Sequence, residues 1–442
     1  MNPGRDVNPV QGAPATRSPM LSIVWFTIGF ALVAALYTGL MFKFWAIGFV
    51  LLLAGASYAA LGGYTFASLR SFDTVNRRPT SALFNIIVAV ISLLGLWAMF
   101  YDRTEIRGID YVNLGIAAAR AEFNRVGERG GLISVAGNMF SAAVYLPLIN
   151  MIFDWEKWGR ERFVVLGLVT ADMLGLTYIT GGRTALLIAV AVATAAMLGR
   201  GAIGLPRLPS FLTRTRLIVG GLVVVVLFGA IFALRATAFG AASAGDYLSQ
   251  LCIHLAQPAI EIMTQCYSIP YSSGLEGLDD VANFGTAVLL YAFHVAWVGN
   301  VIIVDVNPGV STAFSGFQDM FLTRFGYQLT ATDYDGYFIP AAASVVYDFG
   351  YLAMAIGFAL LGFMLGLFRR AMRAGSLFFG RIAFCYVAAA LLLCVLISPA
   401  NLPVLLLSIM AISAVAGASI FARALGFELV FLKESPARES GR

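Results

Sequence analysis

A chain of 442 residues that is 60% hydrophobic and 12% charged, with a mean hydropathy of +0.83, is not a soluble globular protein, whose charged fraction is about 25%. Uncharged runs recur at bilayer-crossing length and short alternating strands are missing, so an all-α polytopic membrane protein is expected and a membrane β-barrel excluded. The net charge of +5 carries no argument for nucleic acid, because in such a chain the placement of Lys and Arg matters more than their sum.

In chain order, residues 1–19 are rich in Pro, Gly and Asn and read as a disordered cytoplasmic tail. About ten candidate spans follow, near 21–42, 44–66, 82–100, 132–153, 163–179, 184–199, 217–234, 345–367, 382–399 and 402–422. They form a single transmembrane domain over 20–425, with a cytoplasmic tail at 426–442. The first run is too long for a signal-peptide core and lacks a cleavage-like site, so it is expected to be retained. With the N-terminus inside, Arg70, Arg77 and Arg78, then Lys157, Arg160 and Arg162, Arg200 to Arg216, and Arg369 to Arg381 all fall on the inner side. That bias sets both termini in the cytoplasm. Residues 281–304 carry no charge and are long enough for an eleventh span. Counting them would turn RRAMRAGSLFFGR (369–381) outward, so the segment is expected to re-enter or lie on the membrane.

Two long outer loops remain, 101–131 and 235–344, and loops of that length are usually functional. In the second, Leu248, Leu251, Leu255, Ala259 and Ile262 recur at helical spacing, which predicts an amphipathic helix along the membrane surface, broken or kinked at Pro258. Cys252 and Cys266 share this loop and would be able to pair in an oxidising compartment. Cys385 and Cys394 read as small apolar residues of a span.

The stretch TYITGGRTALLIAV (177–190) sets an arginine behind two glycines at the outward start of a span. A helix N-terminus offers free N–H groups and a positive dipole end. Gly181 and Gly182 would let an anion approach the backbone, and Arg183 adds a planar fork suited to phosphate. The alternative is an arginine snorkelling to the interface. The loop 101–131 holds Arg103, Arg107, Arg120, Arg125 and Arg129 but no lysine, matched by Asp102, Glu105, Asp110, Glu122 and Glu128. Arg107 and Arg120 are the candidates there, against a solvated helix laced by ion pairs.

Arg324 stands among Asp319, Asp333 and Asp335, either in a structural ion pair or as a second anion ligand. In TDYDGYF, Tyr334, Asp335 and Tyr337 mix carboxylate and ring faces, a combination that grips sugars, although Asp-Gly is also a plain turn. Asp348 sits at the outer start of a span. It either complements the helix dipole, orients an arginine or serves as a general base. His254 and His294 are the only histidines and either can be a base near neutrality. Asp172 lies inside a span, where an acid is a functional candidate or a hydrogen-bonded structural group. No metal-ligand spacing, phosphate-binding loop before Lys, G-x-S-x-G or H-E-x-x-H occurs, so no metal or cofactor is expected.

With these residues in view, the chain resembles the Wzy-type oligosaccharide repeat-unit polymerases of bacterial surface polysaccharide assembly. Three features carry the likeness: GGRTALLIAV (181–190), one long outer loop in the second half, and YDFGYLAMAIGFALLGFMLG (347–366) after it. An Arg-x10-Gly pattern of some members falls on Arg120 and Gly131. The resemblance implies a GT-C-like bundle in the bacterial inner membrane. It also implies transfer of a glycan en bloc from undecaprenyl diphosphate to a second lipid-linked repeat unit, without metal or cofactor. Arg183 and Arg324 would hold the diphosphate, Asp348 would map onto the family motif, and Tyr347 beside it would face sugar. A chain-length regulator is a partner by family analogy. An O-antigen-ligase-like transferase using His254 or His294 is the nearest alternative, and a flippase of lipid-linked sugars the alternative from another class.

Overall fold

The computed structural model describes residues 18–69, 79–111, 119, 122, 132–180, 184–213, 215–216, 218–222, 241, 243–274, 276–304, 312–316, 318 and 338–424. Every regular element among them is helical. Among the described residues eight helical stretches are long and apolar enough to cross a membrane, the build of a multi-pass membrane protein. In hydrocarbon a segment must satisfy its own backbone, and a helix does so within itself.

Helices α1 (Pro19–Phe42) and α2 (Ile47–Ser68) form a hairpin. Pro19 stands in the first turn of α1, where a missing N–H costs nothing. Lys43 closes α1 in the left-handed region, at φ 52°. Gly39 lets the Trp45 ring lie where a Cβ would be, 2.6 Å away. This turn marks one end of the bundle, called the turn end below. Helix α3 (Ala82–Tyr101) returns to it and runs into a π-helical turn, Asp102–Ile106.

The span expected at 132–153 is interrupted. It divides into α4 (Leu132–Ser141), a 3₁₀ turn (Ala142–Val144) and α5 (Tyr145–Asp154). Pro147 supplies a reason, since its ring removes the N–H that would bond to the carbonyl of Ala143. Helices α6 (Glu161–Thr180) and α7 (Thr184–Ala202) complete this group. Most of the span expected at 217–234 lies outside the described residues; 218–222 are helical.

The predicted amphipathic helix is present as α8 (Ala244–Ala256), capped by the Ser243 side chain and ended at Gln257–Pro258. A single turn, α9 (Ile260–Met263), follows. Next come α10 (Glu276–Phe293) and α11 (Val295–Ile302), bent at His294. Together they are also long and apolar enough to cross. Their contacts tie both ends toward the turn end. Gln265 donates to Phe42 O at 2.8 Å. Six residues on, Tyr271 exchanges hydrogen bonds with the Asn283 amide of α10. Six residues reach about 20 Å, short of a hydrocarbon layer of about 30 Å. At the other end Trp297 packs on Phe42, and Asn300 accepts from Phe49 N.

Helix α12 (Ala341–Arg373) is broken at Gly350, whose φ 82°, ψ 174° is a conformation reserved for glycine. Its second part lies parallel to α2 at backbone contact. A Cβ on Gly362 would sit 1.8 Å from Ala60 O, and one on Gly63 1.9 Å from Ala359 O. Small residues allow this approach where lipid gives no hydrophobic drive between helices. A π-helical turn (Leu377–Ile382) leads into α13 (Ala383–Leu393), and α14 (Pro403–Ala424) ends the described chain. Both tails, 1–17 and 425–442, lie outside the described residues.

The end opposite the turn collects basic residues from four elements, and two of them are buried. Arg381 donates to Asp154 at 2.6 Å, and the same carboxylate oxygen accepts from Thr80 N and Oγ1. Arg200, 1% exposed, forks onto both oxygens of Glu156 and bonds to Ile152 and Phe153 carbonyls. Burial alone would raise the Glu156 carboxyl. The Arg200 fork and the Ser210 N–H outweigh it and hold that carboxyl below its usual range.

Candidate functional site

The described basic side chains divide unevenly between the two ends. Lys43, Arg103 and Arg107 stand at the turn end, while Lys157, Arg160, Arg162, Arg200, Arg207, Arg216, Arg369, Arg370, Arg373 and Arg381 stand at the other. The two arginines of the turn end gather where α3 meets the end of α6. The π turn after α3, closed by Arg107 N to Asp102 O, swings three charged side chains to one corner. Arg107 Nε donates to Asp102 Oδ2 at 2.9 Å, both side chains being buried. Arg103 donates to Tyr111 Oη at 2.9 Å and to Ile179 O, and Tyr111 donates to Ile179 O as well. Tyr178 lies against the Tyr111 ring.

Ile179 is in the last turn of α6, whose final carbonyls have no partner within the helix. A guanidinium and a phenol occupy one of them. Gly181, Gly182 and Arg183 follow directly and lie outside the described residues, as does Arg120. The corner therefore brings Arg107, a sequence candidate, beside Arg103, which sequence reasoning passed over. The π turn that aims both had no sequence signal. The Tyr-Asp-Arg run at 101–103 was legible only as one of several possible ion-pair patterns.

A second constellation sits at the start of α12. Asp348 is 3% exposed. One carboxylate oxygen accepts from Thr312 N and Thr312 Oγ1, both at 2.9 Å, and the other from Ala313 N at 2.7 Å. The same loop segment is held from the turn after α13, where Asn401 bonds Thr312 O and Gly316 N and Ser398 bonds Ala313 O. Asp348 thus clamps the large loop onto the bundle. This geometry gives Asp348 a loop-anchoring role, with both carboxylate oxygens accepting hydrogen bonds. Thr312, Ser398 and Asn401 carry no catalytic pattern and were not anticipated.

The histidines part company. His294 is 1% exposed, with Nδ1 2.7 Å from Tyr291 O and Nε2 accepting from Phe338 N at 3.3 Å. A neutral imidazole protonated on Nδ1 satisfies both, which leaves no nitrogen for a substrate proton in this conformation. In this conformation His294 has a packing and hydrogen-bonding role at the α10–α11 bend. His254 is exposed, in the last turn of α8. Tyr347 is buried at 7% exposure. Arg324, Tyr334, Asp335 and Tyr337 lie outside the described residues.

Cys252 and Cys266, left open by the sequence, are joined in a disulfide. Both are fully buried, so the bond fastens α8 to the turn that Gln265 anchors on Phe42. Among the described residues no group of three His, Cys, Asp or Glu side chains is placed to hold a metal ion.

Comparison of the chain with protein-family models, with curated proteins and with solved structures found no match in any of the three.

Proposed function

We propose that this protein polymerises lipid-diphosphate-linked oligosaccharide repeat units into a bacterial surface polysaccharide at the periplasmic face of the inner membrane. The observation that carries the reading is the corner at the turn end. Arg103 is held there against the final turn of α6, just before Gly181, Gly182 and Arg183 in the chain, with the Arg107–Asp102 pair beside it, while the other described arginines stand at the opposite end.

In this reading the arginine-rich end is cytoplasmic, as the charge bias demands. Ten spans cross in a GT-C-like bundle, and α10–α11 enters and returns on the periplasmic side. The reaction is glycosyl transfer: the acceptor hydroxyl attacks the anomeric carbon, the anomeric C–O bond breaks, and undecaprenyl diphosphate departs with the electron pair. A departing diphosphate needs cations and N–H donors aimed at its oxygens. Arg183 would supply the fork and the start of α7 the N–H groups, with the Arg103–Tyr111 pair fixing the corner that carries them. Arg324 is the second candidate ligand. The acceptor proton needs a base, and His254 is the exposed candidate among the described residues. A ligase-type enzyme would share this layout and add its glycan once.

The test complements a strain lacking its own copy of the gene with wild type or with Arg183→Lys at equal membrane expression. Lysine keeps the charge and loses the bidentate fork. The expected result is a ladder of long glycans with wild type and collapse to single repeat units with the variant. Long glycans in the null strain itself would overturn the polymerase reading.

A further inference from the structure

One acid in the bundle interior has no ion-pair partner among the described residues. Asp172 stands midway along α6 and is 2% exposed, and among the described residues neither of its oxygens takes part in a hydrogen bond. It faces the hydroxyl of Ser92 on α3. Ser92 does not give its proton to Asp172; it donates to Ser141 O at 2.7 Å. That carbonyl is available because the helix is interrupted there. The Tyr145 N–H, which an unbroken helix would direct to Ser141 O, points to Ala143 O instead. Ser92 Oγ therefore turns lone pairs, not a proton, toward Asp172.

An ionised carboxylate opposite lone pairs in an apolar interior would be severely penalised. A carboxylic acid fits the same site, because its O–H donates to Ser92 Oγ while Ser92 donates to Ser141 O. The surrounding elements offer no counter-charge. On α3 the titratable group is Tyr101, at the turn end. On α5 Tyr145 donates to Ala185 O, and Asp154 is bound by Arg381 and Thr80. Arg200 of α7 is committed to Glu156. The 3₁₀ turn has no titratable residue; on α6 itself Glu161 and Arg162 lie at one end, with Arg162 over the Trp155 and Phe163 rings, and Tyr178 near the other.

We propose that Asp172, Ser92 and the interrupted helix at Ser141 form a proton-binding site in the interior of the bundle. Asp172 holds the proton, and the Ser92–Ser141 bond registers its presence. When the proton leaves to water, the Ser92 hydroxyl turns to the carboxylate and Ser141 O loses its donor. Only the Asp172 O–H bond is broken, and no electrons are exchanged. Protonation is thereby coupled to the break between α4 and α5, and discontinuous helices beside an intramembrane acid are where proton- and cation-coupled movements are built. The inference stands independently of the polymerase reading.

The test is infrared difference spectroscopy on the full-length protein in lipid nanodiscs, titrated from neutral to alkaline pH. Wild type is expected to show a protonated-carboxyl C=O band at neutral pH that shifts in D2O and is lost on alkalinisation. Asp172→Asn removes the band. Ser92→Ala keeps it at a shifted frequency, which assigns it even if the first variant folds poorly. Replacing choline chloride by sodium chloride at constant ionic strength leaves the band in place. Loss of the band on adding sodium would make the site a sodium site and overturn the proposal. So would the lack of any Asp172-dependent band at neutral pH.

Discussion

The guanidinium of Arg103 donates a hydrogen bond to the carbonyl of Ile179, tying the first residues beyond α3 to the last turn of α6. Tyr111 bonds to the same carbonyl. Helix α6 ends one residue later, at Thr180, and α7 begins at Thr184.

Removing Arg103 should therefore loosen the last turn of α6, directly before Gly181. A charge-assisted hydrogen bond contributes about 2 kcal/mol, and Tyr111 would remain as the donor to that buried carbonyl. Arg103→Ala is expected to shorten the glycan ladder at unchanged expression, with Tyr111→Phe causing a smaller loss in the same direction. Glycan length distributions from complemented null strains give the comparison. A normal ladder with Arg103→Ala would detach this corner from the activity.

Asp348 offers a contrast between clamp and base. Asp348→Ala leaves the Thr312 and Ala313 N–H groups unpaired in a buried place, at about 1–3 kcal/mol each. Lower thermal stability and an accessible 312–316 segment are expected, read by limited proteolysis. Asp348→Asn retains one acceptor and should recover part of both. If the carboxylate were the base, Asp348→Asn would instead keep full stability and lose all polymer.

The disulfide closes a segment with a sequence separation of 14. Loop-closure entropy for that length contributes about 3 kcal/mol. Cys252→Ser with Cys266→Ser should lower the melting temperature of the purified protein, and a reductant should do the same to wild type but not to the double variant. Thiol labelling under denaturing conditions should find Cys385 and Cys394 reactive, and Cys252 and Cys266 reactive only after reduction. Free thiols at all four positions before reduction would contradict the pairing.

The Arg200–Glu156 pair predicts a pH dependence with a definite sign. The Glu156 carboxyl is held below its usual range, so its folded state binds a proton less readily than its unfolded state. The stability it contributes is present above the ordinary glutamate range and is lost as pH falls through the depressed folded value. Wild type should therefore exceed Glu156→Gln in melting temperature near neutrality, with the gap closing on acidification. A gap that widens toward acid would reverse the assignment.

The sequence conveyed the helices and little of the chemistry. Uncharged runs mark spans because lipid leaves a polypeptide few other ways to satisfy its backbone, and α1, α2, α3, α6 and α7 fall within a few residues of their expected limits. The interruption at Ala142–Val144 was missed although Pro147 stood in plain sight, because proline is tolerated in membrane helices and an average hydropathy does not register it. The break at Pro258 is legible in the sequence, in a segment where helical periodicity makes it visible. Site residues were harder. Arg107 and Asp348 were singled out from their positions, yet Asp348 meets Thr312 and Ala313 across a loop fold that no local pattern encodes. Arg103 owes its direction to a π turn, and His294 was spent on Tyr291 and Phe338, partners that only tertiary structure supplies.

Gly350 divides α12 into two rods that meet at a single swivel. The first rod is fastened to the large loop by Asp348, and the second is seated on α2 through Gly362 and Ala60 with no room for a methyl group. The two rods are held by different partners, the first by a loop segment and the second by a neighbouring helix, so the seat of the loop and the glycine seam are anchored separately.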